Sequence, residues 1–516
     1  MQLIDFFDRG AELWPDRDCF HDGEIATSYR AAAEMSHRIA GGLRAAGLQK
    51  GSKVAVYSPN SVCAFECILG ILRTGAVWVP LNAGNSLETN IYILKHSDCE
   101  WLFCHSDFHE YSAQIQSEVS GISGLVGIGD SGAWANPFDE WIAPHSAPCP
   151  RIEQDPDDLA VVISTGGTTG HPKGVMLTHL NFETMVANFS AAMPFSKPPV
   201  HLVAAPITHA AGVMCFWTLA YGATHVIMKR VDLDRLLDNI QRFGVTTLFL
   251  PPTAIYMLLS HPRVRETDYS SLEYFVYGAA PMSVDKLRES IDVFGPVMAQ
   301  LYGQVEAPMM CTFLPPDEHP ISDTRGNQQR LWSCGRRTLL TPVEIMDDAG
   351  NILGPDEKGE IVVRGNLVMK GYYKQPELTA EVSRFGWHHT GDIGCKDSEG
   401  YVYIVDRAKD MIISGGLNVY PSEVERVLWS HPDVQDCAVI GVPDEKWGEA
   451  VKAVIEAKPG RHVDEAEIIA LCKEKLGSVM APKTVEIRDS LPRSAVGKVL
   501  KKELRRQFWE GRERMI

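Results

Sequence analysis

The sequence predicts an α/β protein with a large N-terminal body of βαβ subdomains, a β-rich subdomain, and a small, mobile α+β C-terminal domain. Three observations support this fold class. Short apolar β runs alternate with helical patterns over most of the chain, as in parallel sheets joined by crossover helices. Turn signals replace helical periodicity between about residues 330 and 405, and the last hundred or so residues carry their own strands and helices.

The alternation begins with a helical pattern from Ser28. It continues with the β run KVAVYS from Lys53, a helix from about Ser61 to Leu72, and the β run AVWVPL. It resumes in four further β runs, which are HLVAAP from His201, ATHVIMK from Ala223, TTLFLP from Thr246 and EYFVYGAAP from Glu273. Because α/β proteins bind ligands outside the carboxyl ends of their strands, we expect the site near the Gly, Pro and Ala clusters that end these runs.

The remaining elements set the predicted domains. Alternating strands such as GEIVVRG lie between turns in the β-rich subdomain, at about 330–405. The later β runs CAVIGV, AVKAVIEA and TVEIRD, with helices around them, form a plausible separate unit. We therefore predict a large domain at 1–408 and a small domain at 409–516.

The composition limits the classes of function. The 516 residues include 49 Lys and Arg against 66 Asp and Glu, a formal charge of −17, which argues against nucleic acid as the main partner. Hydrophobic residues make up 45% of the chain, as in globular proteins, yet no apolar stretch approaches the length of a membrane span. The 12 scattered cysteines suit a reducing compartment, and the N-terminus does not resemble a secretory signal, so we expect a cytoplasmic protein. A homodimer is left open.

One glycine-rich segment predicts phosphate binding. Residues 164–174 read STGGTTGHPKG and directly follow the β run 159–163. Glycines allow backbone N–H groups to face an anion, hydroxyls donate hydrogen bonds, and a lysine adds charge. A nucleoside triphosphatase P-loop is excluded, because Pro172 and Gly174 flank Lys173 where Gly and Ser or Thr are needed. A flexible surface linker is the remaining alternative.

This segment resembles the phosphate loop of the adenylate-forming superfamily, which contains acyl-CoA and aryl-CoA synthetases, luciferases and adenylation domains. The resemblance extends over nearly the whole chain through six further blocks in the family's order. They are PITH at 206–209, GAAP at 278–281, YGQVE at 302–306, WHHTGD at 387–392, DRAKDMIISGG at 406–416 and PRSAVGK at 492–498.

The resemblance implies a two-step reaction. A carboxylate attacks the α-phosphate of ATP to give an acyl-adenylate and pyrophosphate, and a thiol such as that of coenzyme A then displaces AMP. Neither step needs a protein nucleophile, so the protein has to position two anions and neutralise their charge. The residues implied to hold the β- and γ-phosphates are Thr165, Gly167, Thr168, Thr169 and Lys173, and Glu306 is implied to ligate Mg²⁺.

The resemblance also implies the nucleotide contacts. Asp392 matches the carboxylate that accepts hydrogen bonds from the ribose hydroxyls, with Arg407 beside it. The backbone of Gly278, Ala279 and Ala280 and the ring of Tyr302 are implied to enclose adenine. Val305 departs from the family pattern, which has Thr or Ser there, so a hydrogen bond to the α-phosphate is missing. Either Thr168 or a water replaces it, or phosphate binding is weaker by about 1 kcal/mol.

The C-terminal motifs imply a moving domain. Lys498 matches the lysine that bridges the carboxylate and the α-phosphate during adenylation. In the family the small domain rotates about a hinge two residues after the arginine, which is Lys409 in this chain. After rotation, Gly415 and Gly416 are implied to line the channel for the pantetheine arm of coenzyme A.

The pocket for the acid is implied to lie around His209, Val213, Met214, Ala279, Gln304 and Pro308. It contains no Lys or Arg for a second carboxylate, so we expect an apolar fatty or aromatic monoacid. The leading hypothesis is an ATP-dependent carboxylic acid:CoA ligase with Mg²⁺. Two alternatives are transfer of the acyl group to a carrier protein or to oxygen, and a noncatalytic nucleotide-binding module.

Overall fold

Several helices in this chain begin at a polar side chain that caps their first turn. The computed structural model describes residues 1–130, 134–165, 172–319, 330–415, 417–493 and 499–510. Ser28, Ser61 and Asp232 accept backbone N–H groups at the first turn of their helices, and Thr178 forms a capping box with Asn181. The helix predicted from about Ser61 to Leu72 is confirmed with a shift of one residue at each end.

In chain order the α-helices are α1 (Asp5–Leu13), α2 (Tyr29–Ala45), α3 (Val62–Arg73), α4 (Leu87–His96), α5 (Ser112–Glu118), α6 (Phe138–Ile142), α7 (His179–Ala192), α8 (Ala210–Leu219), α9 (Leu233–Phe243), α10 (Pro252–Leu259), α11 (Val284–Phe294), α12 (Pro376–Val382), α13 (Pro421–Trp429), α14 (Glu465–Met480) and α15 (Lys501–Trp509). Short 3₁₀ turns cover Ser106–Tyr111, Pro316–Glu318 and Ala408–Asp410.

The strands before residue 300 are β1 (Asp18–His21), β2 (Ala26–Ser28), β3 (Lys53–Tyr57), β4 (Val77–Leu81), β5 (Cys99–His105), β6 (Gly124–Ile128), β7 (Asn136–Pro137), β8 (Leu159–Thr165), β9 (Lys173–Thr178), β10 (Val200–Val203), β11 (Thr224–Ile227), β12 (Thr247–Leu250), β13 (Tyr274–Tyr277) and β14 (Met298–Gln304). The later strands are β15 (Ala307–Leu314), β16 (Arg336–Arg337), β17 (Val343–Met346), β18 (Gly359–Val363), β19 (Gly371–Tyr372), β20 (Ser383–Arg384), β21 (Trp387–Lys396), β22 (Val402–Arg407), β23 (Ile412–Ser414), β24 (Leu417–Val419), β25 (Val434–Asp444), β26 (Gly448–Ala457) and β27 (Thr484–Arg488).

Within the described residues these strands form four sheets. Sheet 1 has the order β16-β15-β14-β13-β12-β10-β11-β1-β2, and sheet 2 has the order β19-β9-β8-β4-β3-β5-β6-β7. Both are parallel in the middle and antiparallel toward their β14–β16 and β8–β9–β19 ends. The predicted α/β body is therefore confirmed and consists of two sheets.

Sheets 1 and 2 share one hydrophobic core. It contains Phe65 of α3, Trp78 of β4, Trp217 of α8 and Leu301 of β14, each at most 5% exposed. Helices α3 and α8 are apolar on nearly all sides, which is typical of helices with protein on every face. This shared core fixes the carboxyl ends of the strands of both sheets relative to each other.

The β-rich subdomain and the C-terminal unit each have a sheet of their own. Sheet 3 contains β17, β18, β20, β21 and β22, and sheet 4 contains β23 to β27. The prediction that helices disappear between 330 and 405 was wrong at α12, which begins at Pro376, because proline at the first helical position starts a helix without losing a hydrogen bond. Among the described residues no helix combines the length and apolarity needed to cross a bilayer.

Candidate nucleotide site

The predicted phosphate segment is the connection of a β-hairpin at one end of sheet 2. Strand β8 ends at Thr165 and β9 begins at Lys173, and these two residues are directly paired across the hairpin. Gly167, Thr168 and Thr169 lie between them, outside the described residues. Thr165 and Lys173 are both half-buried, so the two ends of the segment emerge together at the sheet edge.

Strands β13 and β14 place two more predicted motifs beside each other. Gly278 follows β13, and a Cβ atom there would lie 2.6 Å from the carbonyl oxygen of Leu301 on β14, so only glycine fits. Ala279 has a φ of 67°, a left-handed conformation that is costly for a residue with a side chain. Ala279 is exposed and Ala280 half-buried, and their small side chains leave room for a flat ring against this turn.

Tyr302, Asp392 and Arg407 come together from three strands. The hydroxyl of Tyr302 donates to Asp392 Oδ2 over 2.7 Å, and Arg407 Nε lies 2.5 Å from Asp392 Oδ1. Burial and the charge of Asp392 raise the pKa of Tyr302, so the phenol stays protonated and acts as the donor. Asp392 is 3% exposed, and its direct pairing with Arg407 across β21 and β22 compensates the buried charge.

Glu360 supports the turn that carries Asp392. Its Oε1 accepts the N–H of Gly391 over 2.8 Å, and its Oε2 lies 2.6 Å from His389 Nδ1. The hydroxyl of Thr390 donates to the carbonyl of Ile361 on the same strand as Glu360 and accepts the N–H of Asp392. This carboxylate was missed at the sequence level, because only the pairing of β18 with β21 brings it to the turn.

Glu306 lies in the turn of the β14–β15 hairpin and contacts the chain at and just before β19. Its backbone carbonyl accepts the N–H of Met369 over 2.7 Å, and its side-chain Oε1 accepts the hydroxyl of Tyr372 over 2.8 Å. Lys173 Nζ lies 5.0 Å from the centroid of the Tyr372 ring. Tyr372 therefore connects the predicted metal ligand to the predicted phosphate-binding lysine, and it was also missed at the sequence level.

The donor set at Glu306 fits a magnesium ion that is bound mainly through a nucleotide. Among the described residues no group of three His, Cys, Asp or Glu side chains could hold a metal ion alone. Mg²⁺ usually takes one or two carboxylates and completes its shell with phosphate oxygens and water. Since Tyr372 occupies Oε1, the free oxygen of Glu306 is Oε2, for which no described residue supplies a hydrogen bond.

The segment before α8 is held by a residue from the other sheet. Asn60, which follows β3, donates to the carbonyls of Ala205 and Met228 and accepts the N–H of Ile207 over 2.9 Å. His209 begins α8 and its Nδ1 lies 3.0 Å from the hydroxyl of Thr208. Burial lowers the pKa of His209, so the ring is neutral at pH 7. A polar side chain directly after a buried strand was the available signal for Asn60.

The other predicted pocket residues have mixed surroundings. Val213 and Met214 are buried in the shared core, and Pro308 is also buried. The amide of Gln304 lies 3.2 Å from His388 Nε2 on β21, and burial lowers the pKa of His388 to about 4. Gln304 therefore contacts the β-rich subdomain, and its predicted contact with the acid stays a prediction.

The predicted hinge lies between sheets 3 and 4. Lys409 is exposed, and its carbonyl accepts a long hydrogen bond of 3.5 Å from Arg505. Gly415 has a φ of 61°, and a Cβ atom there would lie 2.7 Å from the indole of Trp447. Gly416 and Lys498 lie outside the described residues.

Arg493 shows which surface of the C-terminal unit carries the segment before Lys498. Its guanidinium pairs with Asp436 at 2.8 Å and with Glu456 at 3.2 Å. Asp436 and Glu456 are paired across β25 and β26, so Arg493 is anchored to these two strands of sheet 4.

Comparisons with known proteins identify the family of this chain. The model of the AMP-binding enzyme family matches residues 7–373, and that of the AMP-binding enzyme C-terminal domain matches residues 423–498. A feruloyl-CoA synthase from Amycolatopsis sp is 37% identical over 97% of this chain and 98% of its own. The fatty acid–[acyl-carrier-protein] ligase ScoC from Streptomyces coeruleorubidus is 32% identical over 95% and 93%.

A solved structure shows the same architecture. ATP-bound MatB from Rhodopseudomonas palustris superposes with a TM-score of 0.88 at 31% identity, over 97% of this chain and 99% of the other. The predicted resemblance is thereby confirmed over both parts of the sequence, and the chain belongs to the AMP-binding enzyme family, the adenylate-forming acyl-CoA and aryl-CoA synthetases.

Proposed function

We propose that this protein is an ATP-dependent carboxylic acid:CoA ligase that forms AMP. The observation that carries the proposal is the arrangement of Tyr302 and Arg407 around the buried carboxylate of Asp392, in a chain matched by both AMP-binding models. Asp392 keeps a negative charge through its pairing with Arg407 and accepts hydrogen bonds, as ribose hydroxyls require. The feruloyl-CoA synthase relative supports CoA as the acceptor.

In the first step, a carboxylate oxygen of the acid bonds to the α-phosphorus of ATP, and the bond to the bridging oxygen breaks to release pyrophosphate. Lys173, Thr165 and the segment between them would hold the triphosphate, and Tyr302 with residues 278–280 would hold adenine. Glu306 would hold Mg²⁺, which neutralises phosphate charge when bound. Lys498 would bridge the two reacting anions and stabilise the charge that develops between them.

In the second step, the thiolate of CoA bonds to the acyl carbonyl carbon, and the bond to the AMP oxygen breaks. Rotation of the small domain, 409–516, about Lys409 would replace Lys498 at the site by the segment of Gly415 and Gly416. A Cβ atom at Gly415 would lie 2.7 Å from the indole of Trp447, and its φ is 61°, so this position accepts only glycine.

The acid is proposed to be an apolar monoacid, fatty or aromatic. Neutral His209 and the buried apolar side chains of Val213, Met214 and Pro308 support this choice, and none of them would pair with a second carboxylate. The feruloyl-CoA synthase relative favours the aromatic group and the ScoC relative the fatty group.

We also propose a cytoplasmic location. The homodimer stays a prediction, and light scattering of the purified protein would test it by measuring the molar mass in solution.

The test is to incubate the enzyme with ATP, Mg²⁺, CoA and a panel of fatty, aromatic and dicarboxylic acids. We expect one apolar class to give AMP in equal amounts to the thiol consumed. Acid-dependent exchange of labelled pyrophosphate into ATP without any loss of CoA thiol would instead favour a carrier-protein acceptor, as the name of the ScoC relative describes. No exchange with any acid would contradict an adenylating function.

A further inference from the structure

Tyr372 connects two predicted ATP contacts that come from different sheets. Its hydroxyl donates to Glu306 Oε1 over 2.8 Å, and its ring lies 5.0 Å from Lys173 Nζ. The side chain is 5% exposed, so water does not compete strongly for either contact. A single residue therefore fixes the carboxylate and also supports the ammonium group.

The backbone around Tyr372 is held on both sides, which makes the position of its hydroxyl precise. Strand β19 pairs with β9, so that Tyr372 lies opposite Val175. The N–H of Tyr372 donates to the hydroxyl of Thr379 on α12 over 2.9 Å, and its carbonyl accepts the N–H of Gln375. Because its backbone is held on both sides, Tyr372 does not move with the Glu306 carboxylate when that carboxylate rotates. Its hydroxyl therefore acts as a donor at a fixed position.

The hydrogen bond from Tyr372 holds one carboxylate oxygen of Glu306, Oε1, and leaves the other, Oε2, available for a metal ion. Within the described part of the chain, the hydrogen bond from Tyr372 is the only side-chain contact of the Glu306 carboxylate, and no salt bridge competes with Mg²⁺. A donor on Oε1 sets the plane of the carboxylate and directs Oε2 away from Tyr372. Hydrogen bonds of this kind orient metal-ligating carboxylates, and their loss costs about 10- to 100-fold in metal affinity or activity.

We propose that Tyr372 is a positioning residue for the metal site: its hydroxyl orients Glu306 toward the Mg²⁺ of MgATP, while its ring supports Lys173 independently of the metal. The inference rests on the proposed function and deepens it. Because the two contacts use different parts of the side chain, removal of the hydroxyl alone should weaken the metal-dependent part of ATP binding and leave the metal-independent part unchanged.

The test compares Tyr372→Phe with Tyr373→Phe, a matched control one residue away. The hydroxyl of Tyr373 bonds to Asp98 at the protein surface and does not touch Glu306. ATP binding is measured by calorimetry over a range of Mg²⁺ concentrations and in EDTA, and the KM values for acid and ATP are determined separately. For Tyr372→Phe we expect the Mg²⁺ concentration for half-maximal ATP binding to rise about 10- to 100-fold. Binding in EDTA and the KM for the acid should be unchanged, and Tyr373→Phe should match the wild type.

Equal weakening of ATP binding with and without Mg²⁺ would overturn the inference, because a general structural defect has that effect. An unchanged Mg²⁺ dependence in Tyr372→Phe would also overturn it, while leaving the proposed function intact if the wild type binds MgATP. A wild type without Mg²⁺-dependent ATP binding would contradict the proposed function itself. Should Tyr372→Phe fold poorly, Glu306→Gln decides instead: it should raise the Mg²⁺ concentration for half-maximal ATP binding and leave binding in EDTA unchanged. An unchanged Mg²⁺ dependence in Glu306→Gln would overturn the inference, because Tyr372 would then have no metal ligand to orient.

Discussion

At the scale of single residues, the site depends on buried charges that have partners. Asp392 is almost fully buried and accepts from Tyr302 and Arg407, which leaves it ionised and oriented. Val305 lies next to Gln304 and Glu306 but contributes no polar atom, and it is half-buried against the shared core. The departure from the family pattern is therefore one missing hydroxyl in an otherwise complete set of residue types.

Val305→Thr should strengthen ATP binding. The hydroxyl would restore a hydrogen bond worth about 1 kcal/mol, which corresponds to about a fivefold lower KM for ATP. Pyrophosphate exchange at varied ATP concentrations measures this effect, with Val305→Ala as the control for lost volume. No gain in Val305→Thr would mean that water or Thr168 already fills the role.

At the scale of elements, hairpins and buried helices fix where the site residues point. Gly303 lies in the β14–β15 hairpin, where a Cβ atom would be 2.6 Å from the backbone nitrogen of Met309. The register of the hairpin shifts between Tyr302 and Gln304, and Met309 has a φ of 60°. The hairpin therefore holds Tyr302 and Glu306 through a close backbone contact that tolerates no side chain.

Gly303→Ala should impair adenylation while leaving most of the fold intact. The added methyl group forces the two strands apart and displaces Tyr302 and Glu306 together, and small misplacements at a reacting centre can cost about 100-fold in rate. The rate of pyrophosphate exchange and the circular dichroism spectrum are the measurements. Gly354→Ala is the matched control, since its Cβ would meet only the flexible end of Glu357. Equal activity of both variants would contradict this account of the hairpin.

Helix α3 carries a buried carboxyl group with a consequence for stability. Burial raises the pKa of Glu66 to about 8, above its ordinary value of 4.5. The folded protein therefore binds a proton that the unfolded chain releases, and stability is lost as pH rises from about 4.5 to 8. Glu66→Gln should raise the free energy of unfolding at pH 8 by about 3 to 4 kcal/mol more than at pH 5. Denaturant unfolding at both pH values tests this, with the exposed Glu34→Gln as control; an equal effect at both pH values would contradict it.

Sequence patterns located the elements well and the long-range contacts poorly. The alternating β runs from Lys53 to Tyr277 are confirmed, because apolar periodicity is a local signal. Glu360, Tyr372 and Asn60 were not found, because their partners lie far away along the chain and meet them only through sheet pairing or the shared core. Asp392, Arg407 and Glu306 were found through the family motifs, which carry that three-dimensional information already.

At the scale of the whole molecule, the account requires the C-terminal unit to change its contacts during the reaction. In the present arrangement the N–H of Ser422 bonds to Asp406, Lys358 pairs with Glu423, and Arg426 lies over the ring of Trp332 at 4.3 Å. All three contacts join residues before the predicted hinge to residues after it. Rotation about Lys409 would break them, and the exposure of Lys358 and Arg426 keeps the cost of losing their two contacts modest.

The central claim is that the β8–β9 hairpin near Lys173 and the distant Lys498 act on the same triphosphate. It is tested most directly by measuring both half-reactions of Lys498→Ala, with Lys409→Pro as its counterpart. The account predicts that Lys498→Ala lowers acid-dependent pyrophosphate exchange by about 10²- to 10³-fold, yet forms the thioester from supplied acyl-adenylate at nearly the wild-type rate. Lys409→Pro should show the reverse pattern. An equal loss of both half-reactions in Lys498→Ala, or unimpaired exchange, would contradict it.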